Sequence, residues 1–323
     1  MNDPVLIVDS LHCSYSRRGW GWSRREPPVH AVAGVDLQLQ AGEIHGLAGE
    51  SGSGKSSLAK ALVGLVPIQA GQVRFPTAEE PGGVHAGTDP RRLVQLVFQD
   101  PSAALSPRRT VAQTLREAAR HFGLPSDRQR LVEALDDVGL DASALDRLPR
   151  QFSSGQRQRI ALARALICEP RVLVADEPLA SLDVSVQARI LELLRALRDE
   201  RKLAILLISH DLAVLRENAD QVSVMYRGRC VESGPVDAVF GHPAHPYTRQ
   251  LIRALPRLRQ PRTDAAAPGF PFPGIAPRAM ETGCAFRQRC PEALPRCSRE
   301  APCPVVVLGD ADHHVECFLH GDS

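Results

Sequence analysis

Short apolar segments and longer amphipathic segments alternate along most of the chain. Segments that are apolar, or that alternate apolar and polar positions, predict strands at residues 5–8, 35–39, 44–48, 93–98, 172–175 and 204–208. Segments with apolar side chains at three- and four-residue spacing predict helices at residues 57–63, 111–122, 128–138, 154–167 and 184–200. Strands alternating with helices favour a mostly parallel sheet covered on both faces, so we expect an α/β fold.

The pattern also divides the chain into two unequal parts. Residues 1–256 carry the alternating segments, and the helices within about 101–168 predict a helical subdomain. Residues 257–280 are rich in Pro, Ala and Arg without periodicity, which predicts a linker. Five of the eight cysteines follow it: Cys284, Cys290, Cys297, Cys303 and Cys317. We therefore expect residues 257–323 to form a small cysteine-rich C-terminal module.

Composition and charge argue against a nucleic-acid-binding, membrane-spanning or secreted protein. The chain has 323 residues, and 39 Lys and Arg nearly balance 37 Asp and Glu. A balanced surface gives no basic footprint for nucleic acid. No apolar run approaches the roughly 20 residues that a membrane span needs, and the N-terminus lacks the long apolar core of a signal peptide. We expect a soluble protein on the cytoplasmic side.

A glycine-rich segment after the strand at 44–48 matches the phosphate-binding P-loop pattern G-x-x-x-x-G-K-[ST]. Its residues are Gly49, Glu50, Ser51, Gly52, Ser53, Gly54, Lys55 and Ser56, and Ser57 continues into the helix. Glycines let successive backbone N–H groups point at phosphate oxygens at a helix N-terminus. Lys55 then reaches the β- and γ-phosphates, and the Ser56 hydroxyl reaches Mg²⁺. The strand–helix setting favours this interpretation over a glycine-rich turn that binds nothing.

An acidic pair ends the apolar strand at 172–175. Asp176 is placed to hold Mg²⁺ beside the P-loop, and Glu177 is the candidate to orient or deprotonate the attacking water. A solvated turn is the alternative for such a pair, but the P-loop upstream favours the catalytic interpretation. The sequence therefore predicts a nucleoside triphosphatase.

Three weaker signals lie around this pair. Gln99 ends one strand, His210 follows the strand at 204–208, and the segment Phe152–Gln156 opens a helix. The order P-loop, Gln99, S-x-G-Q, Asp-Glu, Ser-Leu-Asp and His210 resembles that of ATP-binding cassette (ABC) ATPases over residues 5–235. The resemblance implies a P-loop fold of ABC type, with a mixed sheet and a helical subdomain, that hydrolyses ATP to ADP and phosphate.

The same resemblance implies roles for individual side chains. Tyr15 would stack on adenine, with Trp20 and Trp22 as alternatives. Gln99 would contact Mg²⁺ and the attacking water, and His210 would reach the terminal phosphate. These residues complete the site that the chain forms for its own ATP.

Other residues would act on the ATP of a second ATPase subunit, identical or homologous. They are Ser153, Gly155, Gln156 and Asp183, which the resemblance places across a dimer interface. The family usually has glycine where this chain has Ser154. If that position requires a positive φ or a close approach to phosphate, serine costs roughly 1 kcal/mol. We then expect slow ATP hydrolysis at the site that this chain completes for its partner subunit.

A narrower resemblance concerns the dipeptide and oligopeptide importer branch, which also includes importers of nickel, glutathione and related solutes. The matching segments are Phe98–Pro101, Ala104–Arg108, Met225–Arg229, Glu232–Pro235 and His242–Thr248. The branch implies a peripheral subunit beneath two membrane permeases fed by an extracellular solute-binding protein. Two alternatives stay open: a soluble ABC ATPase acting on ribosomes or DNA, and a mainly nucleotide-binding, regulatory half of a heterodimer.

The C-terminal cysteines form a second candidate site. Cys284, Cys290, Cys297 and Cys317 place four soft ligands in one small segment, without the C-x₂₋₄-C spacing of common zinc sites. Disulfides are rare in the cytosol, so an iron–sulfur cluster, zinc and free structural thiols are the options. Some peptide-importer ATPases resemble this pattern and carry a [4Fe-4S] cluster, so we expect a cluster. Cys303 would replace Cys317 or be a bystander.

Overall fold

A computed structural model describes residues 4–15, 29–76, 88–101, 104–180, 182–255 and 282–321. The predicted linker at 257–280 lies outside these residues, and so do Trp20 and Trp22. In the described part, strands and helices alternate where the hydrophobic pattern predicts them.

Two sheets organise the described residues. The strands are β1 (Pro4–Tyr15), β2 (Val29–Gln40), β3 (Ile44–Ala48), β4 (Ala70–Arg74), β5 (Val94–Val97), β6 (Val172–Asp176), β7 (Ala204–Ile208), β8 (Gln221–Tyr226), β9 (Arg229–Pro235), β10 (Val305–Val306) and β11 (His314–Val315). A three-stranded antiparallel sheet has the order β2-β1-β4, and an eight-stranded sheet has the order β10-β11-β9-β8-β3-β7-β6-β5. In the larger sheet, β5, β6, β7, β3 and β8 are parallel, whereas β9, β11 and β10 add antiparallel strands.

The helices are α1 (Lys55–Leu62), α2 (Pro90–Leu93), α3 (Val111–His121), α4 (Arg128–Asp136), α5 (Ser154–Leu166), α6 (Val184–Arg201), α7 (Leu212–Asn218), α8 (Val236–Gly241) and α9 (Pro246–Arg253). The helices α3, α4 and α5 follow one another within the region predicted as a helical subdomain. The hydrophobic pattern does not predict the antiparallel sheet, because it indicates β1 and β2 only as short segments. Their pairing is irregular, with register shifts that interrupt strict alternation.

The larger sheet is buried on both faces because its parallel strands are apolar at successive positions. In β6, Val172 and Val174 join an apolar cluster with α1 and the smaller sheet, whereas Leu173 and Ala175 join the cluster that contains α3 to α9. The helix α1 therefore packs between the two sheets. The P-loop that precedes it is held from both sides.

The C-terminal residues 282–321 pack against the larger sheet and its helices. The strand β11 pairs with β9 at the edge of the larger sheet. Phe286 is 1% exposed, and its ring lies 5.2 Å from that of Tyr226 and 5.4 Å from that of Tyr247, between ring centroids. The described part of the predicted C-terminal module thus extends the main sheet and shares its core. These contacts join positions far apart in the chain, so the hydrophobic pattern did not indicate them.

Among the described residues, every helix is too short or too polar to cross a membrane.

Candidate active site

The P-loop connects β3 to α1 through a backbone that only glycine allows at two points. Gly49 has a φ of 146°, and a Cβ there would lie 2.3 Å from the carbonyl oxygen of Met225. Gly54 has a φ of 109°, and its Cβ would lie 2.2 Å from the carbonyl oxygen of Ala31. Backbone atoms cannot yield, so both glycines are required by geometry. The first-turn N–H groups of α1 have no side-chain cap, which leaves them available to an anion.

Lys55 is held inside the P-loop. Its side chain is buried, and its Nζ donates to the carbonyl oxygens of Gly49 at 2.7 Å and Glu50 at 2.9 Å. Burial lowers the pKa of Lys55, while the carboxylates of Glu177, Asp176 and Glu50 act in the opposite direction. A buried ammonium whose partners are mainly neutral carbonyls is well placed to exchange them for phosphate oxygens.

Ser56 and Asp176 meet between α1 and the end of β6. The Ser56 hydroxyl donates to Asp176 Oδ1 at 3.1 Å. Asp176 is 7% exposed, and burial raises the pKa of its carboxyl group. A divalent cation here would favour the ionised carboxylate and offset the cost of its burial. The donor set therefore fits Mg²⁺, which takes a hydroxyl and one or two carboxylates together with phosphate oxygens.

Glu177 follows Asp176 in a strained backbone conformation. Its φ is 48°, a left-handed value that is uncommon outside glycine, and its N–H donates to the carbonyl oxygen of Ile208 in β7. His210 lies across from it, with Nδ1 3.3 Å from Glu177 Oε1. The Glu177 side chain is 22% exposed and that of His210 is 67% exposed. The two side chains predicted to act on the attacking water and the terminal phosphate are thus neighbours.

Gln99 and Tyr15 are at the rims of their sheets. Gln99 comes two residues after β5 and is exposed, and Tyr15 ends β1 with 38% of its surface exposed. Both positions agree with a side chain that meets a ligand at the surface. Their contacts to nucleotide stay predictions.

The segment Phe152–Gln156, called the signature segment below, opens α5 at a different helix N-terminus. The Ser153 hydroxyl accepts from the N–H of Gln156, whose side-chain oxygen accepts in turn from the N–H of Ser153. Gly155 is buried against α6, and a Cβ there would lie 2.4 Å from Val186 Cγ1. Ser154 is the first residue of α5 and does not have a positive φ. The backbone strain that we considered for this serine is therefore absent.

Asp183 caps α6 in the same neighbourhood. Its carboxylate accepts from the N–H of Val186 at 3.0 Å and from the Ser185 hydroxyl at 2.7 Å, and these bonds lower the pKa of Asp183. The side chains of Ser153, Gln156 and Asp183 are all exposed. Their hydrogen bonds are made within their own caps, so each is in place for a surface contact.

The C-terminal part of the chain contacts the P-loop, which the sequence did not indicate. The hydroxyl of Tyr247, in α9, accepts from the N–H of Glu50 at 2.9 Å. The guanidinium of Arg289 forms two hydrogen bonds with the Glu50 carboxylate, each of 2.9 Å. Tyr247 lies in the H-P-Y-T segment that indicated the family branch, but nothing in the pattern linked it to the nucleotide site.

Four cysteines line one small cavity beside α9. They are Cys284, Cys290, Cys297 and Cys317, whereas Cys303 is exposed and does not line it. Burial raises the pKa of Cys317 to about 11 and raises those of Cys284 and Cys290. The described residues contain no group of three or more His, Cys, Asp or Glu side chains arranged to hold a metal ion. The donor chemistry suits a thiolate-bound metal, but the geometry of the described residues does not show one.

Two family descriptions match this chain. Residues 32–180 match the family described as ABC transporter, which includes the P-loop, the signature segment and Asp176. Residues 231–297 match the oligopeptide/dipeptide transporter C-terminal region, which includes Tyr247 and Arg289.

Individual proteins are similar over nearly the whole chain. The oligopeptide transport ATP-binding protein of Escherichia coli K12 is 41% identical, covering 93% of this chain and 90% of its own length. The di/tripeptide transport ATP-binding protein of Pseudomonas aeruginosa UCBPP-PA14 is 41% identical, with coverage of 98% and 99%. Among solved structures, cbiO1 from Clostridium perfringens, part of the ABC transporter complex cbiONQ, is 29% identical. It has a TM-score of 0.60 over 75% of this chain and 92% of its own.

Proposed function

Because this chain belongs to the ABC transporter family, we propose that its P-loop holds ATP while Asp176 and Glu177 serve the hydrolysis of that ATP. The chain is an ATP-hydrolysing subunit that powers transport. The observation that carries the residue assignment is the meeting of Ser56 with Asp176 beside the buried Lys55. One helix N-terminus, one ammonium and one Mg²⁺ ligand pair converge there.

Each side chain of the site has a task that its position supports. Lys55 leaves the carbonyl oxygens of the loop and pairs with the β- and γ-phosphates. Ser56 and Asp176 hold Mg²⁺, which supplies charge neutralisation at the phosphates when bound. Glu177 orients or deprotonates the attacking water, and its 3.3 Å contact with His210 keeps both groups at the phosphate end. We expect Gln99 to contact the same water.

We propose that efficient hydrolysis requires a second ATPase subunit. Ser153, Gly155, Gln156 and Asp183 would contact the ATP bound by the P-loop of the partner, and the partner would do the same here. The exposure of Ser153, Gln156 and Asp183 supports this assignment, since a surface that meets a partner must be accessible before assembly. Tyr15 would stack on the adenine of the chain's own ATP. Ser154 has an ordinary φ, so only a close approach of its backbone to phosphate would still make the composite site slow.

The transported solute is proposed to be a di- or oligopeptide. Relatives at 41% identity are named oligopeptide and di/tripeptide transport ATP-binding proteins, and the C-terminal match is to the same branch. The partners would be two membrane permeases and an extracellular solute-binding protein, with this subunit at the cytoplasmic face. Nickel and glutathione are the alternative solutes. A soluble ATPase acting on ribosomes or DNA is disfavoured by the C-terminal match.

The Glu177→Gln variant tests the catalytic assignment in the assembled transporter. We expect ATP hydrolysis to fall by about 10²–10⁴-fold, because general-base catalysis contributes that much, while ATP binding persists. Glu192→Gln, the same exchange at an exposed position of α6, is the control and should keep its turnover. Unchanged hydrolysis in the Glu177 variant would show that another group activates the water. Copurification with ribosomes instead of permeases would contradict the transport role.

We also propose that Cys284, Cys290, Cys297 and Cys317 hold a [4Fe-4S] cluster. The support is that the four thiols line one cavity, with Cys303 outside it. Such a centre would supply the positive charge that buried thiolates need. Anaerobic purification followed by iron, sulfide and zinc analysis is the test. Matching iron and sulfide that the Cys317→Ser variant loses would support the proposal; zinc alone, or neither metal, would overturn it.

A further inference from the structure

A partly buried ion pair joins the C-terminal residues to the P-loop. Two guanidinium nitrogens of Arg289 donate to the two carboxylate oxygens of Glu50, and both distances are 2.9 Å. The side chain of Glu50 is 14% exposed and that of Arg289 is 33% exposed. Paired, charge-assisted hydrogen bonds of this kind fix orientation as well as charge. A residue of the loop and a residue 239 positions later are thus held together.

Backbone hydrogen bonds of Glu50 connect the ion pair to the interior of the P-loop. Its N–H donates to the Tyr247 hydroxyl, and its carbonyl oxygen accepts from Lys55 Nζ. One P-loop residue therefore bonds to the C-terminal residues through its side chain and its N–H, and to the phosphate-binding lysine through its carbonyl group. Any shift of Glu50 changes the position of an atom that holds Lys55.

Arg289 is itself fixed by aromatic rings. Its guanidinium carbon lies 5.7 Å from the ring centroid of Tyr226 and 5.8 Å from that of Phe286. Cations over aromatic faces are stabilised at these distances. The same segment carries a second ion pair, between Arg249 and Glu292 at 3.0 Å. That pair does not include a P-loop residue and supplies a matched control.

We propose that Arg289 is a positioning residue for ATP binding, acting through Glu50. Without Arg289, a partly desolvated carboxylate would stand unpaired in the loop that receives the triphosphate, and like charges repel strongly where water is scarce. With Arg289 in place, the loop carries no uncompensated negative charge at this residue. The inference rests on the proposed role of the P-loop as the ATP site, and it makes nucleotide affinity depend on the C-terminal residues.

The test measures ATP affinity of the full chain by isothermal titration calorimetry, with thermal unfolding without nucleotide as a fold check. We expect Arg289→Gln to weaken ATP binding about ten-fold, less than the loss for a fully buried charge pair because Arg289 is 33% exposed. Adding Glu50→Gln removes the stranded carboxylate and should restore affinity to within about two- to three-fold. Arg289→Lys keeps the charge but not the paired geometry, and should fall in between. Glu292→Gln breaks the control pair and should leave affinity unchanged.

Two results would overturn the inference: affinity of Arg289→Gln within two-fold of the parent, or no recovery on adding Glu50→Gln. A purely structural defect at Arg289 would lower the unfolding temperature of the single and the double variant alike. ATP affinity would then not recover in the double variant. If Arg289→Gln does not fold, Arg289→Lys and the double variant decide by the same criteria. The Lys55→Ala variant distinguishes a failure of the P-loop assignment from a failure of the inference about Arg289. ATP binding that survives Lys55→Ala contradicts the P-loop assignment itself, whereas its loss there with no effect at Arg289 contradicts only this inference.

Discussion

Two helix N-termini in this protein are proposed to contact phosphate, and their local structures differ. At the start of α1, Gly54 gives the helix no side-chain cap, and Lys55 is buried in the loop. At the start of α5, Ser153 and Gln156 form a reciprocal capping box and are exposed. Both ends have the partial positive charge of a helix dipole. Only the first leaves its own first-turn N–H groups without a side-chain partner.

This difference in capping indicates that the binding geometry at the α1 end is formed within one chain. The α1 end is enclosed by the two sheets and by Tyr247 and Arg289, so its geometry is fixed before nucleotide arrives. The α5 end satisfies its own backbone N–H groups through the capping box and needs no ligand to do so, which suits the proposed contact with a second subunit. Substitutions at the α1 end should therefore change folding and nucleotide binding together, whereas those at the α5 end should mainly change assembly-dependent hydrolysis.

Gly54→Ala should have the largest effect on stability. The added Cβ would lie 2.2 Å from the carbonyl oxygen of Ala31 at a φ of 109°, so strain and overlap add to about 4 kcal/mol of lost unfolding free energy. ATP binding should be lost with it. Urea unfolding and nucleotide titration measure both. Gly123→Ala, also at a positive φ but with open space around it, should cost only about 1 kcal/mol. Equal losses would show that overlap is unimportant at the α1 end.

Lowering the pH should reduce the free energy of unfolding by up to about 3 kcal/mol through His245, at the start of α9. Burial lowers the pKa of His245 to about 4, with the Glu232 carboxylate opposing this and Arg249 and His320 adding to it. The unfolded chain therefore binds a proton on this imidazole below pH about 6.5 that the folded chain refuses until about 4, so stability falls as pH falls through that window. His245 accepts from the N–H of Tyr247.

The variant His245→Asn isolates this contribution, because asparagine keeps a cap at the start of α9 but does not titrate. Urea unfolding at several values between pH 4 and pH 7, about the window set by the shifted pKa, should show a shallower loss of stability in the variant. Parallel curves for the parent and the variant would contradict the assignment to His245. Thr110→Ser, which changes the N-cap of α3 without removing a titrating group, is the control and should leave the slope unchanged.

Gly155→Ala should disturb the α5 end by about 2 kcal/mol, because its Cβ would lie 2.4 Å from Val186 Cγ1. Unlike the backbone oxygen at Gly54, this neighbour is a side chain that can be shortened. Adding Val186→Ala should recover part of the loss, and a double-mutant cycle of unfolding free energies measures the coupling. Additive losses would place the effect of Gly155 elsewhere than at α6.

Ser153→Ala should have the smallest effect on stability, about 1 kcal/mol, because it removes one capping hydrogen bond from α5. Ser154→Ala, one residue further and outside the capping box, is the control and should change unfolding by a few tenths of a kcal/mol. Hydrolysis in the assembled transporter should fall for Ser153→Ala beyond what the lost stability explains. Equal effects of the two variants would argue against a special role for Ser153.

Much of this site could be predicted because short motifs have local physical causes. The glycines, Lys55 and Ser56 fix a phosphate loop within eight positions, and β6 runs directly into Asp176 and Glu177. The bounds of α3, α5 and α6 agree with the periodicity to within one residue at each end. The positive φ that we considered for Ser154 is absent, because the residue begins a helix with an ordinary φ, which the sequence could not show.

The sequence by itself identified the candidate chemistry: the phosphate loop, the acidic pair, the helix cap at Ser153 and the C-terminal cysteines. Tertiary structure alone decided that β11 extends the main sheet, that Cys317 rather than Cys303 lines the cavity, and that Arg289 pairs with Glu50. The reason is separation along the chain. Periodicity and motif spacing report contacts within one element or one turn, whereas an ion pair between residues 239 positions apart depends on how the whole sheet is assembled.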